Sequence, residues 1–150
     1  VRALTDLSLR FLPAMLARKS GGIVNVASTG AFMPGPNMAV YYASKNYVLA
    51  FTDALHEELK GSGVTVITVC PGPVATGFQH RAGIGNTRAM AGGGLKPVDV
   101  ARQAMDAFKR GERMVIPGAM NKVIAYAMRG APRRMILPLI RRVMARAKGA

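Results

Sequence analysis

Apolar residues recur at helical spacing from the first positions of the chain. Leu4, Leu7, Phe11, Leu12, Met15 and Leu16 share one face, which predicts a helix over residues 2–18 ended by the Ser20-Gly21-Gly22 turn. The period then changes. Residues 23–27 are apolar apart from Asn25 and read as a buried strand. Gly30 to Asn37 is a loop rich in Gly and Pro that leads to a second helix over residues 40–60. Val48, Phe51, Leu55 and Leu59 mark its inner face, with Asp53, Glu57, Glu58 and Lys60 toward solvent. Gly61-Ser62-Gly63 closes it, and β-branched residues predict a strand over 64–70. Strand, helix, strand in this order makes a right-handed parallel crossover the default. Residues 77–96 are Gly-rich with little periodicity, as a substrate-covering lid would be. A third helix is expected from Lys96-Pro97-Val98-Asp99 to about Lys109, then a short last strand, Met114-Val115-Ile116. The succession describes an α/β fold, the C-terminal half of a doubly wound parallel sheet.

Two further amphipathic segments follow Pro117-Gly118, one from Met120 to Arg129 and one from Pro132 to Lys148. In the second, Ile136, Leu139, Ile140, Val143, Met144 and Ala147 share a face. Arg134, Arg141, Arg142 and Lys148 fall largely opposite, and Pro138 is expected to kink the helix. The chain therefore divides into a partial α/β unit, residues 1–117, and a basic amphipathic helical tail, residues 118–150. Charge singles out the same region. The chain carries a net charge of +14, and residues 101–150 hold 12 basic and 2 acidic residues. A basic amphipathic helix suits peripheral contact with a membrane surface, or docking on its own chain or a second subunit. Nucleic acid is disfavoured, because no helix-turn-helix, zinc-finger or RNP pattern accompanies the charge. No apolar run reaches the roughly 18 residues of a spanning helix.

At 150 residues, half of them hydrophobic, the chain is long enough for a sizeable core. The lone cysteine, Cys70, closes a β run and reads as a buried structural thiol in a reducing, cytoplasmic setting. His56 reads as a surface or edge residue and His80 as a solvated loop residue. Neither has neighbours at ligand spacing, and no metal is assigned.

The densest chemistry lies in Tyr41-Tyr42-Ala43-Ser44-Lys45. Tyr41 and Lys45 are four apart and so share a helical face, whereas Tyr42 has Asn46 at that offset. The ammonium would stabilise a phenolate at Tyr41, making it a proton donor to a carbonyl or an acceptor from an alcohol. Ser28, just after the first strand, supplies a hydroxyl for the same substrate oxygen. Ser28 and Pro71-Gly72 both lie at carboxyl ends of strands, where open parallel sheets bind ligands.

Asn25-Val26-Ala27-Ser28, the Tyr41/Lys45 pair, the helix after it, the strand from Val64 to Cys70 and the turn Pro71-Gly72-Pro73-Val74-Ala75-Thr76 occur in this order within about 55 residues. Together they resemble the short-chain dehydrogenase/reductase family, with its Ser and Tyr-x-x-x-Lys site on a Rossmann-like fold. The resemblance implies Ser28, Tyr41 and Lys45 as catalytic residues. It implies NAD or NADP, NADP being slightly favoured, held by Tyr41, Lys45, Pro71, Gly72, Val74 and Thr76. Lys45 would bind the nicotinamide ribose, while the backbone near Val74 and the Thr76 hydroxyl would serve the carboxamide and phosphates. The expected reaction is an NAD(P)-dependent interconversion of a carbonyl and a secondary alcohol on a small, apolar substrate, in a homo-oligomer. Two elements of the family pattern are missing from the sequence. Residues 1–21 hold no strand with a Gly-rich phosphate turn, and no asparagine in the first helix matches the family's proton-relay position. The chain therefore reads as the C-terminal part of a longer enzyme, with a sheet edge left to pair. The alternative is a truncated, inactive chain that acts only through membrane or partner binding by its tail.

Overall fold

The computed structural model describes residues 1–78 and 94–145. Three parallel strands, β1 (Gly21–Val26), β2 (Val64–Val69) and β3 (Met114–Val115), form one sheet in the order β1-β2-β3. Around them lie α1 (Arg2–Ala17), α2 (Ala39–Glu58), α3 (Pro97–Lys109), α4 (Ala119–Gly130) and α5 (Arg133–Ala145). A single 3-10 turn, Thr29–Phe32, follows β1. The expected α/β half-sheet is thus present, and the third helix opens with Pro97 in its first turn, where the missing N–H costs nothing.

Register aligns Gly21 with Val64 and Val26 with Val69. Side chains alternate between the two faces of the sheet, and the contacts show what covers each. Ile23, Val64 and Val66 pack with Leu12 and Met15 of α1 and Phe51, Leu55 and Leu59 of α2. On the other face Phe108 of α3 lies against Gly22. Close approach of helices also explains why β1 begins two residues earlier than its apolar run. A Cβ at Gly21 would strike Met15 and one at Gly22 would strike Phe108, so the glycines read as a turn are strand residues admitting two helices.

Burial corrects the reading of β1 as a buried strand. Val24 is 40% and Val26 52% exposed on β1, an edge strand of the sheet, so the face that carries them is incompletely covered among the described residues. Asp53, assigned to solvent, finds a partner, and so does His56, read as a surface or edge residue and half-buried here. Asp53 forms an ion pair with Arg113, which enters from the approach to β3, and the Asp53 side chain is only 27% exposed. A ring nitrogen of His56 lies 2.7 Å from the Val66 carbonyl oxygen. The Asp53 correction has a tertiary cause: α2 is laid against the sheet, so its flank meets a cation sixty residues on in sequence.

A second cluster joins Ala27, Ala31, Val48, Leu49, Cys70 and Ile116 to Ala125 of α4, which is fully buried. α4 therefore packs against the same core as the strands. Among the described side chains of α5, Ile136 and Ile140 are buried, whereas Leu139, expected on the same face, is 52% exposed. The helix runs on through Pro138. The expected lid over 77–96 and His80 fall almost wholly outside the described residues.

Candidate active site

β1 ends at Val26, but its ladder with β2 continues for two further bonds: Ala27 N–H donates to the Val69 carbonyl at 2.8 Å, and Thr29 N–H to the Pro71 carbonyl at 2.9 Å. This zipper brings Ser28 alongside the Cys70-Pro71 junction. Ser28 has extended backbone, φ −172° and ψ 162°, and caps the 3-10 turn: its Oγ accepts from Gly30 N–H at 3.1 Å. A hydroxyl that accepts in this way keeps its own proton for another acceptor.

α2 carries the tyrosines and the lysine. Its N-terminal stretch is fixed to the loop after Ser28 by Asn46, whose side-chain amide donates to the Ala31 carbonyl at 2.8 Å. Inside the helix the Ser44 hydroxyl donates to the Tyr41 carbonyl at 2.7 Å. The adjacent tyrosines are given different surroundings. The Tyr42 ring lies against Gly35, where a Cβ would strike it, and against Gly30, where a Cβ would stand 3.3 Å from it in a tight contact. Burial, and then the neighbouring Tyr41, push the Tyr42 phenol above its usual value of 10.0. Tyr41 meets Tyr42 edge-on, with ring centroids 5.6 Å apart, and has Phe78 on its other side with centroids 6.1 Å apart. The Lys45 Nζ stands 5.9 Å from the Tyr41 ring centroid and donates to the Val26 carbonyl at 3.0 Å. Desolvation of the ammonium by burial holds it below its usual 10.5, opposed by the nearby Cys70 side chain.

Ser28, Tyr41 and Lys45 thus gather at the carboxyl end of β1. Pro71 and Gly72 stand beside them at the end of β2, where Asn121 of α4 occupies the space a Gly72 side chain would need. Asn121 in turn donates to the Pro117 carbonyl at 2.8 Å. Val74 bridges to Leu95, and Ala75 N–H donates to the Leu95 carbonyl at 2.9 Å. Thr76 is exposed, its Oγ1 accepting from Phe78 N–H at 3.3 Å. Cys70 is fully buried, and burial pushes its thiol up to about 12, which removes it as a nucleophile. Asn46 and Asn121 escaped the sequence reading. The available signal was weak: an amide inside a helix, where it costs propensity, needs a partner to justify it.

The family model described as short chain dehydrogenase matches residues 1–86. The chain belongs to the short-chain dehydrogenase family. A short-chain dehydrogenase/reductase family protein 7-like of Anopheles gambiae is 32% identical over 124 residues, 79% of this chain and 39% of that protein. A very-long-chain 3-oxoacyl-CoA reductase of Bos taurus is 43% identical over 65 residues, 43% of this chain and 21% of that protein. Among solved structures, a short-chain dehydrogenase from Sphingobium yanoikuyae in complex with NADPH is 30% identical with a TM-score of 0.73, covering 92% of this chain and 53% of that one. The chain spans less than half the length of these curated relatives and about half of that solved structure.

Proposed function

We propose that this chain carries the proton-transfer half of an NAD(P)-dependent oxidoreductase that interconverts a carbonyl and a secondary alcohol, with an apolar small molecule as substrate. The observation that carries the reading is the joint setting of Tyr41 and Lys45: one helical turn apart, with the ammonium 5.9 Å from the phenol ring and tethered to the end of β1. Neighbouring residues support it. Tyr42 is committed to packing over Gly30 and Gly35, which leaves Tyr41 as the tyrosine with chemistry to do.

In the proposed reaction Tyr41 gives its phenolic proton to the carbonyl oxygen, or takes one from the alcohol. Lys45 stabilises the negative charge left on the phenolate by its proximity. Ser28, with its acceptor side held by Gly30 N–H, directs its remaining proton at the same oxygen as charge grows there. The nicotinamide supplies the hydride, or accepts it in the reverse direction, when the dinucleotide is bound.

The residues present fit the nicotinamide end of such a group. Lys45 offers an ammonium at a strand end for ribose hydroxyls, and the exposed Thr76 hydroxyl has a proton to donate. Tyr41, Pro71, Gly72 and Val74 would complete that end of the site, with the Gly72 turn backed by Asn121. The phosphate end has no counterpart here: among the described residues no cluster of three glycines leads from a strand into a helix. An apolar substrate is supported by Phe78 beside Tyr41, and the bovine relative is named for a 3-oxoacyl-CoA whose very long acyl chain, though not its CoA, is apolar.

The test is substitution of each tyrosine in the intact enzyme. Tyr41→Phe is expected to lower kcat by about 10²–10⁴-fold while cofactor affinity, read by fluorescence titration, stays close to that of the parent. Tyr42→Phe is expected to keep most of the turnover. Undiminished kcat in Tyr41→Phe overturns the proposal.

A further inference from the structure

α4 and α5 each bury one narrow stripe and leave a second apolar surface uncovered. In α4 the inward residue is Ala125, and the other side presents Met120, 70% exposed, and Val123, 64% exposed, together with Ile124 and Tyr126. In α5 Ile136 and Ile140 already serve the core, yet Met135 remains 66% and Leu139 52% exposed. A surface helix that has met its core normally turns polar residues outward. These two do not. The polar residues that accompany the exposed stripe are cations: Lys122, Arg129, Arg134, Arg141 and Arg142, all exposed. No Asp or Glu occurs from Arg113 to the end of the sequence, and among the described residues none of these five cations takes part in an ion pair.

We propose that the outward faces of α4 and α5 form a docking surface for an anionic phospholipid bilayer. The charge pattern selects this occupant. A second copy pairing face to face would bring arginines against arginines, with no acid on either side to neutralise them. A nucleic acid would take the cations but gives Met120, Val123 and Met135 no apolar environment. An anionic membrane interface takes both, accepting the apolar side chains at the acyl boundary while its headgroups meet the guanidinium groups. Contact is peripheral, since no helix among the described residues is long and apolar enough to cross a membrane. α4 also backs the Pro71-Gly72 turn through Asn121, so lipid contact would lie one helix away from the proposed site and shorten the path of an apolar substrate to it. The surface stands independently of the proposed chemistry, because its evidence is exposure and charge alone.

The test is co-sedimentation of the intact protein with phosphatidylcholine vesicles and with vesicles in which a third of the lipid is phosphatidylserine. Two exposed double variants accompany it, Arg141→Gln/Arg142→Gln and Met120→Ser/Val123→Ser, each checked for native circular dichroism. The expected result is binding to the anionic vesicles only. Removing two charges should lower the partition coefficient about thirtyfold, from the contribution of each basic residue near such a surface. Removing the two apolar side chains should lower it about tenfold or more. Absence of binding to anionic vesicles, equal binding to neutral ones, or undiminished binding by both variants overturns the proposal. So does a dimer that forms without lipid and is abolished by the same substitutions. Turnover on a soluble ketone is expected to be unchanged in all forms, so a failure here leaves the proposed reaction separately testable.

Discussion

The proposed reaction gives the Ser28 oxygen a second task beside its cap, and substitutions can separate the two. Its Oγ accepts from Gly30 N–H at 3.1 Å and so caps the turn Thr29–Phe32, and in the proposed reaction its own proton goes to the substrate oxygen. Ser28→Ala removes both. Loss of a cap costs roughly 0.5–2 kcal/mol, and a single 3-10 turn lies near the middle of that range, at about 1 kcal/mol. In a protein of 150–250 residues that is a fall in Tm of about 2–4 °C. Loss of a donor to a developing oxyanion lowers kcat by about 10²–10³-fold, roughly 2.7–4 kcal/mol in the barrier. The larger effect therefore falls on rate. Ser28→Asp keeps an acceptor for Gly30 N–H and, when ionised, has no proton to donate. It should retain most of the Tm and lose the turnover, whereas Ser28→Thr should keep both. The assay is ketone reduction followed by nicotinamide absorbance, with thermal unfolding by circular dichroism on the same samples. Turnover by Ser28→Asp equal to that of Ser28→Thr would show that the serine is a cap and nothing more.

Two other outcomes test the body of the fold. The Cys70 thiol ionises near 9.0 when unfolded but is pushed up to about 12 in the fold, so between those values the unfolded chain binds fewer protons and stability should fall as pH rises through the window. Urea midpoints across that range check the direction, and labelling by a thiol reagent should track unfolding; rapid labelling of the native protein would contradict the burial. Thr52 is fully buried, donating to the Val48 carbonyl at 2.6 Å and accepting from the Asn25 amide at 3.0 Å. Thr52→Val leaves that amide without its acceptor and should cost about 1–3 kcal/mol in urea unfolding, with Asn25→Val in the same molecule recovering most of it; a single variant as stable as the parent removes the bond from the account.

Much of this protein is written in local spacing. The period of Leu4, Leu7 and Phe11, the β-branched run from Val64 to Val69 and the start of α3 at Pro97 each depend on residues within a turn or two of one another. The Tyr41/Lys45 pair is legible for the same reason, since an i, i+4 offset fixes a shared face before any tertiary contact forms. What the spacing leaves open is which neighbour occupies that face. Only the packed chain turns Tyr42 onto Gly30 and Gly35 and leaves Tyr41 beside Lys45. It is the zipper of β1 on β2 that sets Ser28 beside Pro71, and the Asn46 amide that ties α2 to Ala31. Asp53 was assigned to solvent because its helix is amphipathic, yet its partner is Arg113, sixty residues on. In α5 the arc of apolar residues was visible, but the core took Ile136 and Ile140 and left Leu139 outside. A helix offers more apolar arc than one contact covers, so the sequence sets the candidates while the shape of the opposing surface chooses among them.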